Sequence, residues 1–190
     1  NFKKYPLQKP ISIPMSHSQS TTIIPLLSQP DIRLKYLNPH GNYVRIGMLL
    51  EDLDEMAVHI SYKHVNNQIS DENTHPMGLV TAFVDQIQMH QPRIPNDKDL
   101  LLQGQVTWVG SSSMEISMSI NDAVDTDLKY LDALFLMVAR NSQTGRAAKV
   151  NFLTQETDQD HKNFKNGVYF STDSSIFLSQ KKTPELIPPG

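Results

Sequence analysis

The sequence predicts an α+β domain in which one long helix lies against an antiparallel sheet. One stretch, residues 43–64, repeats apolar side chains at helical spacing and contains no proline. Four later stretches recur as strand-like segments, most of them alternating apolar and polar residues as half-buried strands do. A helix of about 20 residues is about 30 Å long, which is enough to lie across a sheet of ordinary size.

The composition is that of one folded domain with tails. The chain has 190 residues, 38% of them hydrophobic, and a mean hydropathy of -0.38. A net charge of -3 gives no general attraction to polyanions, so we do not expect nucleic acid as a partner. No apolar stretch approaches the roughly 20 residues of a membrane-spanning helix. The chain starts at Asn1 rather than Met, as expected of a processed form or a fragment.

The absence of cysteine excludes disulfides, thiolate catalysis and cysteine-ligated metals. The seven histidines have no ligand spacing. His59 and His64 are five residues apart, so a helix points them in different directions. We therefore predict that the protein binds no metal.

The domain is predicted to span residues 19–153. Residues 1–18 combine prolines, lysines and serines, as expected of an arm that lies on another part of the protein or of a linker. Residues 154–190 are mostly polar and end in a proline-rich segment, which indicates a tail or an inter-domain linker.

The first predicted elements are a short strand and the long helix. Residues 21–27 are β-type but are broken by Pro25, which predicts an edge strand at best. Asn42 precedes the helical pattern and is a suitable N-cap, because its side-chain oxygen can accept from free N–H groups of the first turn. Residues 65–78 are polar and predict a loop.

Four strands follow the loop, at residues 79–90, 99–110, 113–121 and 130–140. The third alternates without exception, with methionine or isoleucine at every second position, which predicts one buried and one solvated face. Trp108 is predicted to share the apolar face of its strand with Val106. The fourth strand is apolar on both sides and is predicted to lie inside the sheet.

Three segments resemble the N-terminal half of the mitochondrial double-hotdog acyl-coenzyme A thioesterases of the thioesterase 9 type. They are NYVRIGMLLEDLDEMAVHISYKH (42–64), GQVTWVGSSSMEISM (104–118) and DALFLMVAR (132–140). IIPLLSQPDIRLKYL (23–37) resembles the lead-in strand of the same family, and the resemblance covers roughly residues 14–153. It implies a hotdog fold, a sheet wrapped around one long helix, and hydrolysis of fatty acyl-CoA to free acid and coenzyme A.

The resemblance also implies partners and a location. The family carries a second hotdog half, so we expect pairing through the sheet edge with a second copy or with that half. Coenzyme A would be part of the substrate, and no separate cofactor is expected. Mitochondrial placement is implied by the resemblance alone.

Three residues are predicted to carry the chemistry. Backbone N–H groups at a helix start can stabilise the negative charge that develops on a thioester oxygen, and Gly47 would let the thioester approach closely. Alternatively, Gly47 relieves crowding where the helix meets the sheet. Asp54, seven residues later on the same face, matches the acidic position of related hotdog thioesterases and would act as base or nucleophile. Asn42 would orient water or the carbonyl.

The acidic neighbours of Asp54 are interpreted as a solvated helix face, with Glu55 as the substitute for Asp54. Leu50, Leu53 and Ala57 flank Asp54 on or near the apolar stripe, which singles it out from Glu51 and Asp52.

The coenzyme A contacts are predicted at one turn and one loop. Ser112 and Ser113 match the small hydroxyl pair of the family's hairpin, although ordinary turn chemistry also explains them. Arg140, Arg146 and Lys149 are the candidates for the nucleotide phosphates, with a solvated cationic loop as the alternative.

A second hypothesis remains open. The family often has His-Gly-Gly at the helix start, where this chain has Arg45, Ile46 and Gly47. This departure favours a non-catalytic hotdog unit that binds acyl-CoA or completes an active partner half. A hotdog dehydratase is ranked last, because His59 and His64 lie late in the helix.

Overall fold

The computed structural model describes residues 9–65, 77–155, 157 and 158. Its elements follow the predicted order of one strand, one long helix and four strands, with several short elements added. They are β1 (Ser12–Pro14), α1 (Met15–Ser18), β2 (Ser20–Ile24), α2 (Pro30–Tyr36), β3 (Leu37–Asn38), β4 (Gly41–Val44), α3 (Ile46–Val65), β5 (Met77–Met89), β6 (Leu100–Val109), β7 (Ser113–Asp122), β8 (Lys129–Asn141) and β9 (Phe152–Thr154).

Five of the strands form one antiparallel sheet in the order β2-β6-β7-β8-β5. The sheet packs around α3, which contacts β5, β6, β7 and β8. β8 lies between β7 and β5, so the prediction of an interior strand is confirmed, and β2 lies at an edge as expected. The α+β class, with an antiparallel sheet around one long helix, is therefore confirmed.

The long helix begins three residues later than predicted, and Asn42 is not its cap. The N–H of Val44 donates to the carbonyl of Ile94 (2.8 Å), and the N–H of Arg45 donates to the carbonyl of Tyr36 (2.9 Å). Both donors are engaged outside the helix, because Gly41–Val44 forms a strand paired with β3. α3 therefore begins at Ile46.

The apolar stripe of α3 packs closest to the sheet at Gly104 of β6. A Cβ atom on Gly104 would lie 2.5 Å from Cγ of Met118, 2.8 Å from the carbonyl oxygen of Ser117 and 3.0 Å from Cδ1 of Ile60. Only a residue without a side chain fits between the helix and the strand here. The absence of a side chain at Gly104 thus sets how closely α3 approaches the sheet.

The second face of β7 is covered, contrary to the predicted solvated face. Glu115, Ser119 and Asn121 are all buried. β7 is the middle strand of the sheet, so side chains of both neighbouring strands flank each of them, as Trp108 and Leu136 flank Glu115. The hydroxyl of Thr107 donates to the Glu115 carboxylate at 2.7 Å. Burial raises the pKa of Glu115, and this hydrogen bond lowers it by less.

A β-bulge moves Trp108 off the face predicted for it. The pairing of β6 with β7 slips between Val106 and Trp108, so that Val106 lies opposite Ile116 and Trp108 lies opposite Glu115. Residues directly opposite each other share a face, which puts Trp108 on the side away from α3. The extra residue of the bulge breaks the strict alternation that the sequence suggested.

The C-terminal end of α3 is held by a polar contact that we call the His64–Asn151 clasp. The buried His64 ring bonds through Nε2 to the carbonyl of Asn151 (3.2 Å), and the Asn151 amide donates to the carbonyl of His64 (2.7 Å). Asn151 Oδ1 also accepts from the N–H of Ile11 at 3.1 Å. Burial lowers the pKa of His64, since a charged imidazole is poorly solvated there.

The clasp joins both ends of the described domain. β1 pairs in parallel with β9, and α1 packs against α3 and β6. Residues 12–18 of the predicted arm are thus seated on the domain. The predicted tail, residues 154–190, lies almost wholly outside the described residues.

Gly104→Ala is expected to destabilise the protein by about 1–3 kcal/mol, because the added methyl group overpacks the contact between α3 and the sheet. Urea unfolding measures the change. Gly47→Ala is the matched control: a Cβ there meets no atom within 4 Å. Alanine in a helix should leave stability unchanged or raise it by up to about 1 kcal/mol. Equal losses in both variants would contradict this account.

Glu115→Gln is expected to stabilise the protein at neutral pH. A carboxyl with a raised folded-state pKa favours the native state fully below its unfolded pKa, and this contribution is lost as the pH rises through the folded value. The advantage of Glu115→Gln over the wild type should therefore grow as the pH rises above about 4.5 and then level off. Unfolding across pH measures it, with Glu51→Gln on the exposed side of α3 as control. If the free energy of unfolding changes with pH in the same way for wild type and Glu115→Gln, the prediction is refuted.

Candidate active site

Gly47 lies in the first turn of α3 with open space beside it. The residue is exposed, and a Cβ built there meets no atom within 4 Å. The alternative that Gly47 relieves crowding against the sheet is therefore wrong. In this part of the described chain the N–H groups of Arg45 and Met48 bond to protein carbonyls, which leaves those of Ile46 and Gly47 to meet a ligand.

Asp54 lies on the same flank of α3 as Gly47, because seven residues make nearly two full turns. Its carboxylate is exposed, although apolar residues flank it. The hydroxyl of Thr81 on β5 donates to Asp54 Oδ1 at 2.6 Å. One carboxylate oxygen is thus held by the edge strand.

Sequence reasoning missed Thr81. In β5 the helix-facing positions include Leu79 and Thr81, so a hydroxyl interrupts the apolar face at Thr81. A bulge after Thr81 places Phe83 opposite Leu136, on the face away from α3. The interruption at Thr81 was the available signal. It carried little weight because threonine is common in strands.

Asp52, interpreted as part of a solvated face, is the most buried of the four acidic residues of α3. It lies half-buried on the opposite flank of α3, where the Tyr36 hydroxyl donates to Oδ2 at 2.9 Å and to Oδ1 at 3.1 Å. Burial raises the pKa of Asp52, the bond from Tyr36 opposes this, and Glu55 and Glu51 add to the rise. Burial and the nearby Asp52 charge also raise the pKa of Tyr36. Neighbouring carboxyls on one helix therefore have different environments.

Asn42 is exposed in the middle of β4. It lies four residues before α3 begins, in extended backbone. Its proposed orienting role stays a prediction, now separate from helix capping.

Ser112 and Ser113 lie at the tight turn between β6 and β7. The Ser113 carbonyl accepts from the N–H of Gly110, and the Ser112 carbonyl accepts from the N–H of Ala139, both at 2.8 Å. A Cβ on Gly110 would come within 2.8 Å of Ser113 Oγ and 2.9 Å of the Trp108 ring, so a larger residue would have to displace these side chains. The backbone of the serine pair is thereby fixed next to the end of β8.

The cationic loop follows β8 directly. Asn141 Oδ1 accepts from two backbone N–H groups of the turn, and Gly145, at φ 66°, closes the turn in the left-handed conformation that glycine adopts freely. Arg140 bonds through Nη1 to the Gly145 carbonyl (3.2 Å), and Arg146 and Lys149 are exposed on the same loop.

The structure brings the serine turn and the cationic loop together. Ala139 contacts Ser112, and the N–H of Val150 donates to the carbonyl of Ser111 at 3.2 Å. Asn151, the next residue, bonds to His64 near the C-terminal end of α3. Gly47 is about 25 Å away from His64 along the helix, so the helix start and the predicted coenzyme A contacts lie toward opposite ends of α3.

The described residues contain no group of three or more His, Asp or Glu side chains suited to hold a metal ion. Among the same residues, no helix is long and apolar enough to span a membrane.

The curated relatives of this chain are acyl-CoA thioesterases. No protein-family model matches the sequence. Acyl-coenzyme A thioesterase 9, mitochondrial, of Bos taurus is 40% identical over 154 residues, which cover 80% of this chain and 35% of that protein. The chain spans about a third of the length of the curated relatives it matches.

Solved structures show the same fold. An acyl-CoA hydrolase from Staphylococcus aureus, solved in complex with butyryl coenzyme A, coenzyme A and coenzyme A disulfide, matches with a TM-score of 0.71 at 20% identity. The match covers 90% of this chain and 94% of that one. A hexameric acyl-CoA thioesterase also matches at 0.71 and 20% identity, over 88% of this chain and 97% of that one.

Two lines of comparison thus agree. The relatives connect the sequence to the thioesterases, and the solved structures identify the helix and its surrounding sheet as a complete hotdog unit. The chain is therefore a hotdog unit related to the acyl-coenzyme A thioesterases of the thioesterase 9 type.

Proposed function

We propose that this chain serves as one hotdog unit of an acyl-CoA thioesterase, which hydrolyses fatty acyl-CoA to free fatty acid and coenzyme A. The observation that carries the proposal is the position of Asp54. Its carboxylate is exposed, is held by Thr81, and shares a flank of α3 with the open backbone at Gly47. A base and an oxyanion site on one helix flank are what thioester hydrolysis requires.

The proposed reaction has three participants. The thioester oxygen accepts from backbone N–H groups at Gly47, which stabilise the negative charge that forms on it. Asp54 takes a proton from water as the water oxygen adds to the carbonyl carbon. The carbon–sulfur bond then breaks, and the departing coenzyme A sulfur takes up the proton. Thr81 fixes the Asp54 carboxylate, and Asn42 would orient the water.

The coenzyme A end of the substrate is assigned to the serine turn and the cationic loop. Ser112 and Ser113 would contact pantetheine or phosphate oxygens, and Arg140, Arg146 and Lys149 would pair with the nucleotide phosphates. Arg140 near the end of β8, and Arg146 and Lys149 on the loop that follows, are all exposed beside the turn, which supports a shared role.

A second hotdog unit is proposed to pair along β5. This 13-residue strand is an edge of the sheet, and it exposes Val80, Val84, Ile87 and Met89. Exposed apolar residues on a long edge strand favour pairing with another chain or domain. Asp54 and Thr81 lie at this edge, so a partner unit would close over them. Pairing would also let the cationic loop of one unit serve the helix start of the other.

Mitochondrial placement is proposed on the names of the mammalian relatives, which are mitochondrial thioesterases.

Asp54→Asn is expected to lower kcat/KM for acyl-CoA hydrolysis by about a hundredfold or more, because an amide cannot accept the proton from water. Thr81→Val should lower it by about tenfold through loss of carboxylate positioning. Release of free thiol from acyl-CoAs of several chain lengths measures both. Glu51→Gln controls for a lost charge on α3.

Two results would redirect the proposal. Loss of activity in Glu55→Gln, with Asp54→Asn unaffected, would move the base to Glu55. A folded protein that binds acyl-CoA but releases no thiol at any chain length, alone or with a partner half, would favour the non-catalytic unit.

Val84→Lys combined with Ile87→Lys is expected to turn a paired protein into a monomer. Two lysines on β5 repel a second edge strand and remove apolar contacts. Mass in solution measures the change, with Val124→Lys on the exposed β7–β8 turn as control. A wild-type protein that is strictly monomeric, in the presence of any partner half as well, would contradict pairing.

A further inference from the structure

A groove of about 590 Å³ runs along the flank of α3 opposite Asp54. Its walls are β2, α2 and the side of the helix that carries Asp52 and His59. Its floor is apolar and is formed by Ile24, Ile32, Met56 and Leu102. The groove is therefore separate from the proposed thioesterase flank.

One wall of this groove is a strand with a free edge. Within the described chain, β2 pairs only with β6, and all five of its residues line the groove. In an antiparallel pair, alternate residues direct their N–H and C=O groups away from the partner strand. Ile23 is 47% exposed at this edge, and Lys63 contacts the strand only at its first residue, where Nζ donates to Ser20 Oγ at 3.5 Å. Such an edge is ready to accept another strand.

The charges of the groove favour a basic occupant. Asp52 and Glu55 line it from α3, together with His59, and Lys35 lines it from α2. An acidic rim above an apolar floor disfavours a fatty acid, whose head group is anionic, and favours a chain that carries both lysine or arginine and apolar residues.

We infer that this groove binds an extended peptide segment that bears basic and apolar residues and adds a strand to the free edge of β2. β2 is about 17 Å long, enough to pair with five or six residues. One alternate set of its side chains would face α3, with stems crossing the apolar floor and basic ends reaching Asp52 and Glu55. The other set would lie beside Ile23 on the outer face of the sheet. Backbone pairing would give affinity, and the acidic rim would select basic sequences.

Fluorescence anisotropy with labelled hexapeptides tests the inference on the full chain. The probe alternates lysine and valine, and the comparison peptide alternates glutamate and valine. We expect saturable binding of the first and binding at least about tenfold weaker for the second. N-methylation of one alternate set of the probe's amides should weaken binding by about tenfold, whereas methylation of the other set should not, since only one set faces β2.

Two substitutions locate the binding. Ile23→Lys and Glu55→Lys should each weaken the lysine–valine peptide by about tenfold, because they place a cation at the strand edge and on the rim. Glu51→Lys, on the same helix but outside the groove lining, is the matched control and should change affinity by less than about threefold.

Several results would overturn the inference. The first is that the lysine–valine probe does not bind, and the second is that both peptides bind equally well. The third is that N-methylation of either alternate set of the probe's amides changes its affinity equally. Self-association that blocks the probe and is abolished by Ile23→Lys would assign the groove to a second copy of this chain instead.

Discussion

The close approach of α3 to the sheet at Gly104 is the constraint on which the structure depends. The side chains of Ile60 and Met118 fill the space that a side chain at Gly104 would occupy. The helix therefore lies deep inside the curled sheet. This depth leaves only the flanks of α3 accessible along most of its length. Asp54 and Asp52 therefore project from opposite flanks of α3, Asp54 toward β5 and Asp52 toward the groove beside β2.

Neighbouring acidic residues on one helix differ because their flanks differ. Asp54 meets a hydroxyl at an exposed strand, whereas Asp52 is half-buried beside Tyr36. A half-buried carboxyl with a raised pKa is often taken as the sign of a functional group. On α3 the raised pKa belongs to Asp52, whereas the proposed base is Asp54, which is exposed and held by Thr81. The raised pKa and the proposed base therefore lie on opposite flanks of this helix.

Sequence patterns were sufficient for the large elements, since Leu49, Leu53 and Ile60 recur at helical spacing and β7 alternates strictly. They failed where long-range contacts override local preference. Val44 and Arg45 are drawn into non-helical hydrogen bonds with Ile94 and Tyr36, which shortens the helix. The bulge beside Trp108 and the burial of Glu115 likewise depend on neighbouring strands, which no local pattern encodes.

The candidate site was predictable only in part for the same reason. The seven-residue spacing of Gly47 and Asp54 places them on one flank in any α-helix. The contact between Asp54 and Thr81 joins residues 27 positions apart, so it appears only when β5 is laid beside α3. The proximity of the serine turn to the cationic loop follows in the same way from the pairing of β7 with β8.

The His64–Asn151 clasp has a consequence for how such a unit can be built into larger proteins. Because Asn151 bonds to both His64 and Ile11, the polypeptide comes into the fold and leaves it within a few ångströms of one place. A unit with neighbouring points of attachment can be inserted into another chain while its core stays intact. Any further sequence at either end of the described domain is thereby attached on one side of the fold, beside the C-terminal end of α3.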